Sequence, residues 1–96
     1  MVNMAETQEL LETVIDDSSG IGNAAKVILF NDEWHTFDEV IEQIIKAIKC
    51  SFEVAESKTM EVHTKGKSVV FVGDLQECLG VSAVLEEIAL HTQVEY

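Results

Sequence analysis

The sequence predicts a small α/β (α+β) domain: three helices packed on a three-stranded antiparallel sheet, in the order β-α-α-β-α-β. Three observations carry that prediction. Two short apolar runs, Lys26 to Asn31 and Lys67 to Val72, are bounded by turn residues and read as strands. Phe37, Val40, Ile41, Ile44, Ile45 and Ile48 recur at helical spacing and form one apolar stripe. Thr36 with Glu39, and Asp74 with Glu77, have the spacing of capping boxes and mark two helix starts.

Taken in order, residues 1–24 form an acidic stretch without a basic residue and are expected to be a flexible N-terminal extension. Within it Leu10, Leu11, Val14 and Ile15 have helical spacing, too short a stripe to hold a helix alone in water. The core is expected over 25–96. The first strand ends at Asn31-Asp32-Glu33, and the first helix spans about Phe37 to Lys49. Ser51 suits the N-cap of a second helix, with Phe52, Ala55, Thr59 and Val62 facing inward and Gly66 as its left-handed C-cap. A third helix is expected from about Leu75 to His91, with Leu75, Cys78, Leu79, Ala83, Val84, Leu85 and Ile88 largely inward. Thr92 to Tyr96 closes the sheet as a third strand.

Charge excludes some functions. Eighteen Asp and Glu face six Lys, with a formal net charge of −12. A nucleic-acid binder needs a basic stripe, and an anionic membrane surface would repel this chain. No apolar run approaches the roughly 18 residues of a membrane span. The acidic start has no basic n-region or apolar h-region, so a cytoplasmic location is expected. Cys50 and Cys78 fall in helical patterns and read as free thiols. There is no phosphate loop and no nucleophile elbow, and His35, His63 and His91 have no metal-ligand spacing. Neither an enzyme, a metal nor a cofactor is expected. A hydrolase built from Cys50 or Cys78 with a distant histidine stays open as a third possibility.

Two polar clusters interrupt ordinary packing. Asn31-Asp32-Glu33-Trp34-His35 occupies a strand-to-helix loop, an exposed position on rigid supports where ligands often bind. Capping of backbone amides would explain it as well. Val62-His63 ends the second helix, where the macrodipole alone favours histidine. On the residues alone both explanations stand.

Lys26-Val-Ile-Leu-Phe-Asn31-Asp32-Glu33 resembles the K-V-I-L-x-N-D-D/E opening of the ClpS family, the adaptors of the bacterial N-end rule pathway. Glu61-Val62-His63-Thr64-Lys65-Gly66-Lys67 resembles that family's x-V-H-x-x-G-K/R motif, in register across two helices. The resemblance implies an adaptor that binds substrates with a free N-terminal Leu, Phe, Tyr or Trp (an N-degron). It implies delivery, as a monomer, to the N-terminal domain of a ClpA- or ClpC-type ATPase. By position, Asn31, Asp32 and His63 would take the α-amino group. Phe37, Val40, Thr59 and Val62 would line the side-chain pocket, with Glu33 and His35 nearby and Gln93 or Val94 contributing from the C-terminal strand. His35 stands where many members have threonine, Thr36 where many have proline, and Thr59 where methionine is usual. Gln76 and Val81 stand where the family has the glutamate and lysine of its ATPase-docking surface. A general interaction domain without N-terminal-residue specificity is the alternative.

Overall fold

In the computed structural model, residues 24–96 are described, and the expected extension lies outside them apart from residue 24. The elements are β1 (Ala25–Phe30), α1 (Phe37–Ile48), α2 (Phe52–Lys65), β2 (Lys67–Gly73), α3 (Leu75–Leu85), a 3-10 turn (Glu86–Ile88) and β3 (Thr92–Glu95). The sheet is antiparallel throughout, in the order β2-β1-β3. The expected order and fold class are those of the molecule.

β1 takes the centre because nearly every side chain on it is apolar. Ala25, Val27, Ile28 and Leu29 are all buried, and Lys26 alone escapes to solvent. A register shift between Val27 and Ile28 accommodates pairing with β2. Leu29, Ile44, Leu85, Val27, Val70 and Cys78 are the largest fully buried residues. Burial of each large aliphatic among them contributes roughly 1.5–3 kcal/mol.

Both predicted capping boxes form. The Thr36 hydroxyl accepts from the Glu39 amide and the Glu39 carboxylate accepts from the Thr36 amide, and Asp74 and Glu77 do the same for α3. Ser51 caps α2, and Gly66 ends it at φ 89°.

The third helix differs from expectation. It stops at Leu85, gives way to the 3-10 turn, and the chain then turns through Ala89 at φ 66°. Apolar residues resume at Ile88 after Glu86 and Glu87, but the chain must reverse there to lay β3 beside β1. The inward face of α3 is Cys78, Val81 and Leu85 at i, i+3 and i+7, whereas Leu75, Leu79 and Ala83 face solvent. Phe52, expected inward, is also exposed, because the first turn of α2 projects past the core. Val81, expected at a docking surface, is a core residue, 7% exposed, because it lies on the inward face of α3, while Gln76 is exposed. Gln43 is buried and donates to the Val84 carbonyl at 2.6 Å, tying α1 to α3.

Candidate functional site

The site grows from the end of β1. The Asn31 amide donates to the Gly66 carbonyl at 2.9 Å, and the Phe30 amide donates to the His91 carbonyl at 3.0 Å. These two bonds fasten the strand end to the end of α2 on one side and to the approach to β3 on the other. Gly66 can present its carbonyl there because it holds the left-handed conformation, which a Cβ disfavours. The same chain reversal places Val62 and His63, in the last turn of α2, beside Asn31.

A cavity of about 480 Å³ opens at this junction, within the roughly 300–1,000 Å³ of small-ligand sites. Asn31, Asp32, Glu33, His35, Phe37, Val40, Thr59, Val62 and His63 all line it, together with Leu29, Phe30, Thr36 and Leu90. Its polar groups come from the loop after β1 and from His63. Its apolar wall comes from α1, α2 and the segment before β3. Val94, expected as a pocket residue, is not part of the lining. It pairs with Val27 across the β1–β3 ladder and packs on the core, and Gln93 is exposed. Leu90 supplies the C-terminal wall instead. The tight turn at Ala89 carries Leu90 inward, a reversal with no glycine or proline to announce it in the sequence.

Among the described residues, the Asn31 carboxamide and the His63 ring make no side-chain hydrogen bond to protein. His63 is exposed and meets the Phe37 ring edge-on, with centroids 5.9 Å apart. That contact joins α1 and α2 across the cavity. Thr59 is buried, and its hydroxyl is turned back to the Ala55 carbonyl at 2.8 Å, so it presents its methyl side to the apolar wall.

Asp32 is the most heavily engaged residue of the loop. Its Oδ1 accepts from the amides of Trp34 at 3.1 Å and His35 at 2.9 Å. Its Oδ2 lies 2.6 Å from His35 Nδ1. Burial works to raise the Asp32 pKa, but the His35 amide, the His35 ring and the Trp34 amide outweigh it and hold the carboxyl below its usual 3.8. Burial likewise works to lower the His35 pKa. The Asp32 carboxylate, the Ile88 carbonyl and the charge of Glu39 prevail and raise it above its usual 6.5. The Trp34 ring, itself well exposed, stacks against the His35 ring at 4.2 Å.

Neither cysteine belongs to the cavity lining. Cys78 is buried, its thiol faces the Gly73 carbonyl at 3.7 Å rather than a histidine, and burial pushes its pKa up. Cys50 is half-buried, and both thiols are free. Among the described residues, no helix is long and apolar enough to cross a membrane.

Residues 22–94 match the family model described as ATP-dependent Clp protease adaptor protein ClpS. Among solved structures, that of Agrobacterium tumefaciens ClpS2 bound to L-phenylalaninamide superimposes with a TM-score of 0.71 over 75% of this chain and 94% of that one. At 19% identity the likeness is one of fold. Among curated proteins, the E3 ubiquitin-protein ligase UBR1 of Drosophila melanogaster is 34% identical over 59 residues, 62% of this chain. The human E3 ubiquitin-protein ligase UBR2 is 36% identical over 58 residues, 60% of this chain. The matched stretch spans only 3% of either ligase. With nearly the whole described fold matched by the family model, the chain belongs to the ClpS family of Clp protease adaptor proteins.

Proposed function

We propose that this chain captures substrates by a free N-terminal Leu, Phe, Tyr or Trp and delivers them to a Clp-family AAA+ unfoldase–protease. The observation that carries the reading is one cavity with two unlike ends: Asn31, Asp32 and His63 in one lining with Phe37, Val40, Thr59, Val62 and Leu90. A peptide N-terminus has the same two-part character. Its α-ammonium has three donors and a pKa near roughly 7.7–8.0, so it is mostly charged at neutral pH. The Asn31 carbonyl oxygen, the Asp32 carboxylate and a His63 ring nitrogen are acceptors for those donors. An apolar first side chain enters the other end, where its burial contributes roughly 1.5–3 kcal/mol.

Specificity for a terminus follows from the cost of failure. An acetylated N-terminus, or an internal peptide bond, keeps a single N–H and no charge, so acceptors that the docked ligand would cover are left unpaired, at about 1–3 kcal/mol each. L-phenylalaninamide, bound in the Agrobacterium relative, has a free amino group next to a benzyl side chain, which supports the same assignment. Delivery to a Clp ATPase is supported by the family's description as protease adaptors. No covalent step is required of the protein.

Titration calorimetry with a Phe-initiated peptide and its N-acetylated twin tests the capture step. The free peptide binds and the acetylated one does not; equal binding of the two, or binding of neither, refutes the reading. Degradation of a Phe-initiated reporter by a ClpA or ClpC protease, accelerated by this chain and not by its Asn31→Ala variant, tests delivery.

A further inference from the structure

His35 is held in a way that capping alone does not require. Its side chain is only 5% exposed, and both ring nitrogens face acceptors: Nδ1 lies 2.6 Å from Asp32 Oδ2, and Nε2 lies 2.5 Å from the Ile88 carbonyl. A carbonyl can only accept, so Nε2 carries a proton. The Asp32 carboxylate takes two backbone amides on its other oxygen, an arrangement that favours its ionised form. A carboxylate at 2.6 Å then requires a proton on Nδ1 as well. With both nitrogens facing acceptors, the geometry suits the imidazolium form of His35, with the Trp34 indole against its ring. His35 ties the loop after β1 to the end of the 3-10 turn, 53 residues further along the chain.

This pairing occupies the group that the capture reading needs. A carboxylate has about four lone-pair positions. Three on Asp32 are taken by Trp34, by the His35 amide and by the His35 ring. The Asp32 side chain remains 21% exposed and lines the cavity, so one position is left for a ligand. An incoming ammonium meets a carboxylate already shared with a cation.

Resting on the capture reading above, we infer that His35 is a positioning residue of the amine site: it clamps Asp32, and protonation of His35 and binding of a peptide α-ammonium oppose one another. The coupling is reciprocal, as linkage demands. An ammonium at the free lone pair drives a proton from His35 to solvent, leaving a neutral ring that keeps its Nδ1–H on Asp32 and releases Ile88. A proton on His35 weakens capture by the same factor, about tenfold, which is a typical coupling strength. The charged groups acting on His35 are Asp32, in its own loop, and Glu39, on α1. The 3-10 turn contributes the Ile88 carbonyl, and Glu33 and His63 share the cavity. Below the range in which the free amine loses its own proton, affinity therefore climbs with pH as His35 is discharged.

Ring-nitrogen NMR of the full chain tests this, because it reads each histidine separately. In the free protein both His35 ring nitrogens are expected to carry protons at and above pH 6.5, the ordinary histidine midpoint. Saturation with a Phe-initiated peptide lowers the His35 midpoint by about one pH unit, the equivalent of tenfold. His35→Gln keeps a neutral donor for Asp32, and it removes His35's share of the rise of affinity with pH, flattening the profile above about pH 6.5 while peptide still binds. Peptide binding that leaves the His35 midpoint unmoved, or a His35→Gln variant with the wild-type pH profile, overturns the inference and leaves the capture reading standing. No peptide binding at any pH sinks both.

Discussion

Gly66 and Gly80 allow the geometry of the site to be tested by the same substitution with opposite results. A Cβ at either position meets nothing within 4 Å, so neither Gly→Ala change carries a packing cost. What differs is backbone. Gly66 sits at φ 89°, ψ −26°, where a side chain costs roughly 1–2 kcal/mol. Gly80 is in the middle of α3, where alanine is better than glycine by about 0.8–1 kcal/mol. The two variants should therefore differ by about 2–3 kcal/mol, the sum of those terms. For a domain of this size each kcal/mol moves Tm by about 4–8 °C. Urea and thermal unfolding followed by circular dichroism measure both.

Function adds a second axis. The Gly66 carbonyl accepts the Asn31 amide, so strain at Gly66 is transmitted to the loop that holds Asn31 and Asp32. Gly66→Ala should lose affinity for a Phe-initiated peptide in the population that remains folded, while Gly80→Ala binds as wild type. Gly66→Asn, which tolerates the left-handed region, should fall between glycine and alanine on both axes. A Gly66→Ala protein as stable as wild type, or a Gly80→Ala protein less stable, would refute the reasoning.

The Asp32–His35 pair makes stability depend on pH at both ends. Its contribution is complete from about 3.8 to 6.5, the usual values of the two groups. It is lost below as Asp32 takes up a proton at its lowered folded value, and above as His35 gives one up at its raised folded value. Urea midpoints across pH should show both limbs, and His35→Gln should flatten the upper one. Thr59→Met extends the apolar wall by about one methylene equivalent, and should raise affinity for Leu-initiated peptides about fourfold, from roughly 0.8 kcal/mol, while crowding out Trp. Calorimetry with the peptide set reads the ranking; an unchanged Leu:Trp ratio would show that Thr59 does not bound the side-chain end. Val81→Lys, which restores a family charge at a buried position, should cost about 3 kcal/mol or more in a urea titration, whereas Gln76→Glu at the exposed position stays within about 0.5 kcal/mol.

The fold was legible where local chemistry and global packing agree. The two capping boxes, the Gly66 stop and the alternation of apolar runs with a helical stripe each specify one element, and all of them formed. The failures in and after α3 share a cause. From Leu75 to Leu90 apolar residues fall on every side of a helix, with Gln76, Glu77, Ser82, Glu86 and Glu87 among them, so periodicity does not say which face turns inward or where the helix ends. Both were decided by the need to bring β3 back beside β1, and only tertiary structure shows that Ala89 adopts φ 66°. The cavity lining was readable on the loop and on α2, where motifs mark it. Leu90 was hidden because its role depends on that unmarked turn. His35 was visible as a departure from the family pattern, but its bond to Ile88 is a contact across 53 residues that no spacing rule anticipates.

Under the proposed capture function, these contacts suit the loop to the part of an amine receptor. The segment from Asn31 to Thr36 is fastened at its start by the Gly66 carbonyl, in its middle by the Asp32 carboxylate and the Ile88 carbonyl, and at its end by the Thr36–Glu39 box. Little is left to order when a ligand arrives, so less of the binding energy goes into loop entropy. Among the cavity-lining groups left without a protein partner are the Asn31 carboxamide, one face of the Asp32 carboxylate and the His63 ring. They come from two elements that a single glycine holds together. A pinned loop with its acceptors spare and an apolar wall alongside is what recognition of a charged terminus with a greasy first residue demands. It follows that substitutions in the pins, more than in the acceptors, should alter how pH and temperature govern capture, because they change the order of the loop and the charge on Asp32 together.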